Sequence, residues 1–171
     1  MPGAFLNVEI RMGNVIERYQ KAPGAVTVAL NNSLRRMGRK LVPELKSRTP
    51  VGATRNLRNK TVFEVYGTGL RQTLDVRQSA RRGEFFYGEV VRVGRRPGKR
   101  PPSKALETWV IRKLGVSVAQ APGVAFLVAR KIGRHGTKPN RYAQDTLRAN
   151  MGFIHQTVRD FGREIRLLLA R

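Results

Sequence analysis

From Ala143 to Leu168, apolar residues recur at alternating steps of four and three: Ala143, Leu147, Met151, Ile154, Val158, Phe161, Ile165 and Leu168. Residues so spaced share one side of a chain only in an α-helix. The spacing predicts a helix of about thirty residues, about 45 Å long at 1.5 Å per residue, with a narrow apolar seam. Gly152 and Gly162 weaken it locally, so packing must hold it. A second stripe offers a partner. Val26, Leu30, Leu34, Met37, Leu41 and Leu45 stand three or four apart over residues 24–45. Pro23 suits the first turn of that helix, where its missing N–H costs nothing, and Pro43 is expected to kink or end it. The C-terminal seam therefore reads either as core against this helix or as packing between subunits.

Between the two helical stretches the period changes. "TVFEVYG", "RQTLDVRQ" and "EFFYGEVVRV" are rich in Val, Thr, Tyr and Phe, and Gly67-Thr68-Gly69 and Arg82-Gly83 separate them. They predict an antiparallel meander over residues 61–93, with polar residues alternating on the side away from the core. Residues 4–10, "AFLNVEI", predict a short strand, and Gly13 opens a short helical piece through about Gln20. "GRRPGKRPP", residues 94–102, can be neither helix nor central strand. Ser103 is the expected N-cap of a helix through Leu114 that places Leu106, Trp109, Val110 and Leu114 on one face and ends at Gly115. A further helix is predicted from Pro122, ended by Gly133 and Gly136. Its residues 124–129 are apolar on nearly all sides, which implies burial in the fold or in a subunit contact. The expected fold is α+β: a small antiparallel meander packed against helices, with a long helix in the N-terminal half and another at the C-terminus. By length the 171 residues form one domain, with residues 1–22 as an N-terminal arm or strand and 23–171 as its core.

Charge limits the function classes. Thirty-four Lys+Arg against 11 Asp+Glu give +23, so the chain repels itself unless something negative lies against it. Nucleic acid is the first partner to consider and an acidic protein surface the second. Arg outnumbers Lys, which suits bidentate contact to phosphate or carboxylate. The absence of cysteine excludes a disulfide framework and a thiolate zinc site. The N-terminal stretch lacks the apolar run of a signal peptide, and no run approaches 18 apolar residues. The expectation is a soluble protein made in the cytoplasm.

Catalytic patterns are weak. His135 lies in a loop and His155 beside the C-terminal seam, and neither has a metal-ligand or acid–base partner at a recognisable spacing. "GTGLRQT" lacks the Lys-Ser/Thr step of a phosphate loop and joins strands, so a hairpin turn accounts for it better. No enzyme, cofactor or metal site is expected. The basic residues say more: Arg81 and Arg82 at one β-turn, and Arg95, Arg96, Lys99, Arg100 and Lys104 in and beside the Pro-rich loop. They read as contacts to DNA phosphates or an acidic partner, or as a solvated loop that keeps the chain soluble. Phe85, Phe86 and Tyr87 run consecutively, so at least one must face the core, which argues against a stacking platform for single strands. Trp109 reads as core or as an interface anchor.

Three stretches, in order, resemble one family. "TPVGATRNLRNKT" is similar to the "TPV-x-TG-x-LR-x-S" signature of neck proteins of long-tailed phages, the tail-completion or minor tail components. "GRRPGKRPPSKALETWVIRKLG" resembles that family's strand ending at a glycine, a Pro-Pro pair and a helix with a Trp-Val step. "AFLVARKIGRHGTKPNRYAQDTLRAN" resembles its helix, Gly-Thr-x-Pro turn, aromatic residue and long terminal helix. Together they cover roughly residues 24–170. One position departs from the pattern: the glycine expected before "xLR" is Arg55, where a positive φ would be strained. The resemblance implies a virion subunit of the head–tail junction, assembled in the host bacterial cytoplasm as a closed sixfold or twelvefold ring. Its neighbours would be the adaptor and stopper rings, the tail terminator and the tail tube, with DNA passing through the channel and no membrane involved. Thr49, Pro50, Val51, Arg55, Leu57, Arg58, Trp109, Phe126 and Phe161 are then the expected interface residues. In this reading Leu57 is the anchor of the 46–61 loop, and Arg55 and Arg58 are its polar contacts. The rival from another class is a free basic nucleic-acid-binding protein of ribosomal or nucleoid type, although no helix-turn-helix, RRM or KH signature appears.

Overall fold

Helix α1 runs 25 residues from Gly24 to Arg48, and all six residues of its predicted stripe, from Val26 to Leu45, are buried. Each such side chain contributes about 1.5–3 kcal/mol when removed from water. Of the two outcomes expected at Pro43, a kink or an end, the helix does not end there; α1 continues to Arg48. Pro43 and Arg39, whose carbonyl loses its intrahelical partner, are both exposed, so water can replace the missing bond while Leu41 and Leu45 hold the opposite side. The computed structural model describes residues 6–9, 24–52, 55–82 and 85–169, with 6–9, 81–82, 85–87 and 169 as backbone alone. The helical piece expected over residues 13–20 and the placement of Pro23 lie outside them.

The chain divides into two compact units, one of residues 1–49, 60–79 and 142–171, the other of residues 50–59 and 80–141. In the first, β2 (Thr61–Thr68) and β3 (Arg71–Gln78) form a hairpin around Gly69-Leu70, as the sequence predicts for this glycine-rich stretch. The register sets Phe63 opposite Val76 and Val65 opposite Leu74. The third strand is not residues 84–93. It is β1, Leu6–Glu9, which pairs antiparallel with β3 and gives the order β1-β3-β2. Helix α1 packs on β2 and β3, and the approach is close. A Cβ on Gly38 would stand 2.4 Å from Phe63 Cδ2, so glycine at this point lets the ring lie against the helix backbone.

The C-terminal helix, α6, spans Tyr142–Leu169 and packs on α1. Its buried line differs from the predicted seam. Tyr142, Ala143, Thr146, Asn150, Ile154, Thr157 and Phe161 are buried, whereas Met151 and Val158 are each 37% exposed. The polar members are satisfied within the helix: Thr146 Oγ1 donates to Tyr142 O at 2.7 Å, Asn150 Nδ2 to Thr146 O at 2.9 Å, and Thr157 Oγ1 to Phe153 O at 2.9 Å. With those bonds made, burial carries little penalty.

The second unit holds the one-turn helix α2 (Asn56–Asn59), the two-residue strands β4 (Arg81–Arg82) and β5 (Phe85–Phe86), α3 (Tyr87–Val93), α4 (Lys104–Leu114) and α5 (Ala121–His135). Residues 87–93, expected as strand, are helical. Phe86, Val90 and Val93 also fit helical spacing, and Arg92 pairs with Glu89 one turn back; short apolar runs carry both periods. Helix α4 ends where predicted, with Gly115 N–H donating to Ile111 O at 3.1 Å, but Ser103 makes no side-chain cap. Val110, Ala121 and Ala125 form a small core, against which Leu106, Trp109, Ile111, Val124 and Val128 pack. The apolar run 124–129 is thus buried on one side only: Phe126 and Leu127 are exposed. Gly133 does not end α5, which continues to His135. A Cβ there would lie 3.1 Å from Arg100 Cβ and Gly98 O, so its role is close packing against the loop.

Candidate functional site

The Pro-rich loop 94–102 is anchored along its length. Arg95 and Thr137 form a reciprocal antiparallel bridge, with N–H to O distances of 3.1 and 2.8 Å, and Gly98 N–H donates to Gly133 O at 2.8 Å. The Arg95 guanidinium donates to Lys99 O. Two glycines permit the bridge. A Cβ on Gly136 (φ 69°) would fall 1.9 Å from Arg95 O, and one on Gly94 (φ 79°) would fall 2.5 Å from Thr137 O. A fixed loop holds its charges in place.

Those charges border a groove of about 400 Å³ lined by Lys99, Arg100, Pro101, Pro102, Ser103, Lys104, Phe126 and Ala129. The prolines, Phe126 and Ala129 give it apolar walls. The guanidinium of Arg100 lies over the Phe126 ring, 5.1 Å from its centroid. A cation so placed is attracted by the ring, and the five N–H donors of a guanidinium suit it to bind an anion as well. Arg96, Lys99, Arg100 and Lys104 are exposed, and none is paired with a carboxylate among the described residues.

No family model, curated protein or solved structure matches this chain. The site therefore has to be read from its own residues.

Of the basic residues singled out from sequence, Arg95, Arg96, Lys99, Arg100 and Lys104 share the anchored loop and the start of α4, and three of them line the groove. Arg81 and Arg82 form β4 and pair with Phe86 and Phe85 through the backbone; their side chains lie outside the described residues. The second unit concentrates the charge, with 17 Lys+Arg against three Asp+Glu in 72 residues, a net of +14. The first unit holds 17 against eight in 99 residues, a net of +9.

The nine expected interface residues separate by burial. Arg55 and Arg58 are exposed, Pro50, Val51 and Trp109 are half-buried, and Phe126 is 41% exposed beneath Arg100. Thr49, Leu57 and Phe161 are buried in the single chain, so these side chains have almost no surface to offer a second subunit. Thr49 has a different role. Its hydroxyl donates to Leu45 O at 2.6 Å and accepts from Gln78 Nε2 at 2.9 Å. Gln78 also donates to Thr61 Oγ1 at 3.1 Å and accepts from Tyr142 OH at 2.7 Å. All four residues are buried. This polar knot joins the C-terminal end of α1, the start of β2, the end of β3 and the start of α6.

Sequence reading did not find the knot, nor Phe126 as the seat of Arg100. Phe126, Ala129, Arg130 and Gly133 do stand at helical spacing, a signal that one face of α5 is shared by an aromatic, small residues and a cation. Among the described residues no group of three or more His, Asp or Glu is placed to hold a metal ion, and no helix is long and apolar enough to cross a membrane.

Proposed function

We propose that this chain is a structural virion protein of the phage neck, a non-enzymatic subunit of a closed sixfold or twelvefold ring in head–tail joining or tail completion. In this reading it assembles in the bacterial cytoplasm, meets the adaptor or stopper rings, the tail terminator and the tail tube, and borders the channel through which DNA passes. The supporting observation is Arg55. It has φ 54°, the only positive φ outside glycine among the described residues, and it stands where the neck-protein signature has glycine. The backbone conformation that glycine would supply is kept here by an arginine, at a cost of about 1 kcal/mol. The helix after the Pro-Pro pair and the long terminal helix also follow in the order the resemblance implies, whereas the strand it implies before Gly94 is the helix Tyr87–Val93.

The loop carrying Arg55 and Arg58 is then a surface that neighbouring subunits or rings grip. Reversing both charges, with Arg55→Glu and Arg58→Glu, should yield filled heads and separate tails that fail to join. Normal virions from that double variant would refute the assignment. The concentration of charge in the second unit favours one other reading, a free nucleic-acid-binding protein. A salt titration separates the two: a dedicated duplex binder would bind tightly with a log–log slope of roughly −5 or steeper, as expected for six phosphate contacts, whereas a neck subunit would bind weakly.

A further inference from the structure

We infer that the groove between the Pro-rich loop and α5 is a phosphate-backbone seat for duplex DNA, formed by Lys99, Arg100, Lys104 and Arg130. The first three line it. Arg130 is exposed and stands four residues on from Phe126 in α5, so it lies on the same side of the helix, about 6 Å further along. Arg134 continues that line by another turn and is also exposed. No described carboxylate pairs with any of these five cations.

Three features favour a nucleic-acid backbone over an acidic protein. The charge is repeated rather than confined to one or two spots, with Lys99, Arg100 and Lys104 at the groove and Arg130 and Arg134 one turn apart on α5, and it belongs to a unit with only three acidic residues in 72. Pro101 and Pro102 have no N–H, and the other uncharged lining residues are Phe126, Ala129 and Ser103, so the groove offers apolar surface to sugars, cations to phosphates and a single side-chain hydroxyl. It has little with which to read base edges, which makes the contact independent of sequence. The Arg100 guanidinium is seated over the Phe126 ring, and a guanidinium is the side chain suited to bidentate contact with a phosphate. The inference goes beyond the neck reading and is tested apart from it, on purified protein without virions.

The experiment is fluorescence anisotropy of the full chain with a labelled 25-base-pair duplex of mixed sequence, at 50–200 mM NaCl. Four neutralised phosphates predict a log–log slope of roughly −3.5, so that binding weakens about a hundredfold across that range. Arg100→Gln with Lys104→Gln should reduce the slope to about −2 and weaken binding at 100 mM salt by roughly fiftyfold. Lys99→Gln with Arg130→Gln should do the same. Phe126→Leu keeps every charge, so it should keep the slope and lose about two- to fivefold in affinity. Arg163→Gln with Arg166→Gln, on α6, should leave the slope unchanged. Circular dichroism identical to wild type checks that each variant is folded. An equal loss of slope from the α6 pair would overturn the assignment to this groove. Preference for a polyglutamate peptide over the duplex at the same salt would overturn the choice of nucleic acid.

Discussion

The buried amide of Gln78 should be strongly coupled to Tyr142, and a double-mutant cycle measures the coupling. Tyr142→Phe removes the hydroxyl that donates to Gln78 Oε1 at 2.7 Å while the amide stays buried. Losing that bond and leaving a buried carbonyl oxygen without it should cost about 1–3 kcal/mol. For a chain of this length that corresponds to a fall in melting temperature of about 2–4 °C per kcal/mol. Gln78→Met keeps the shape of the side chain and removes the whole amide. Two donated bonds go, but the hydroxyl of Thr49 keeps its own acceptor in Leu45 O; the expected cost is about 2–3 kcal/mol. Once the amide is absent, Tyr142→Phe removes a hydroxyl that no longer has it as an acceptor. The second change should then cost less than it does in the wild-type chain, by a coupling of about 1–2 kcal/mol. Urea unfolding of the four proteins, followed by far-UV circular dichroism, supplies the cycle. Additivity within about 0.5 kcal/mol, or a Tyr142→Phe variant as stable as wild type, would refute the knot as an energetic unit.

Gly136→Ala should destabilise the chain by about 3 kcal/mol, because φ 69° with ψ −157° is a conformation essentially reserved for glycine and the new Cβ would meet Arg95 O; thermal melting checks it. Arg55→Gly should raise stability by up to about 1 kcal/mol by removing the left-handed penalty, while Arg55→Val should lower it by a similar amount. Urea midpoints in the order Gly, Arg, Val test that ranking. Asp75 is buried, its Oδ1 has no hydrogen-bond partner among the described residues, and desolvation raises its pKa above the ordinary 3.8 against the opposing pull of Arg77. A raised folded-state value means that the native chain holds this proton more tightly than the unfolded chain. The stability it contributes is present below pH 3.8 and lost as pH rises through the folded value. Asp75→Asn should therefore be the more stable protein at pH 7, with an advantage that vanishes on acidification. Stability curves of the two proteins that stay parallel between pH 7 and 3.5 would refute this.

Helix α1 was legible because its six predicted positions are all apolar and all buried, so period and burial coincide. Helix α6 was legible in extent but not in facing. Thr146, Asn150 and Thr157 bond to carbonyls one turn back, and a side chain satisfied in that way can be buried where hydropathy assigns it to water. Residues 84–93 misled because a run so short fits a strand and a helix alike. Gly133 reads as a helix end but is a packing contact with the loop at Gly98 and Arg100, set by a neighbour more than thirty positions away. The same reason hid the sites. Arg100 and Phe126 are 26 positions apart, and Thr49 and Gln78 are 29 apart. No local pattern marks such pairs, so the sequence could name the cations but not the ring that holds one of them.

The knot has a consequence for how variable the rest of the chain can be. The segments of the first unit end at Thr49, resume at Lys60, end at Ser79 and resume at Tyr142, and the four hydrogen-bonded residues are at or next to those four points. The polypeptide thus departs from its scaffold and returns to it through a single doorway. An insert whose two ends are already gathered asks little of its host, since closing a longer loop adds only about 0.6 kcal/mol per doubling of length. Short linkers from Thr49 to Lys60 and from Ser79 to Tyr142, in place of both segments of the second unit, should leave a scaffold that folds by itself.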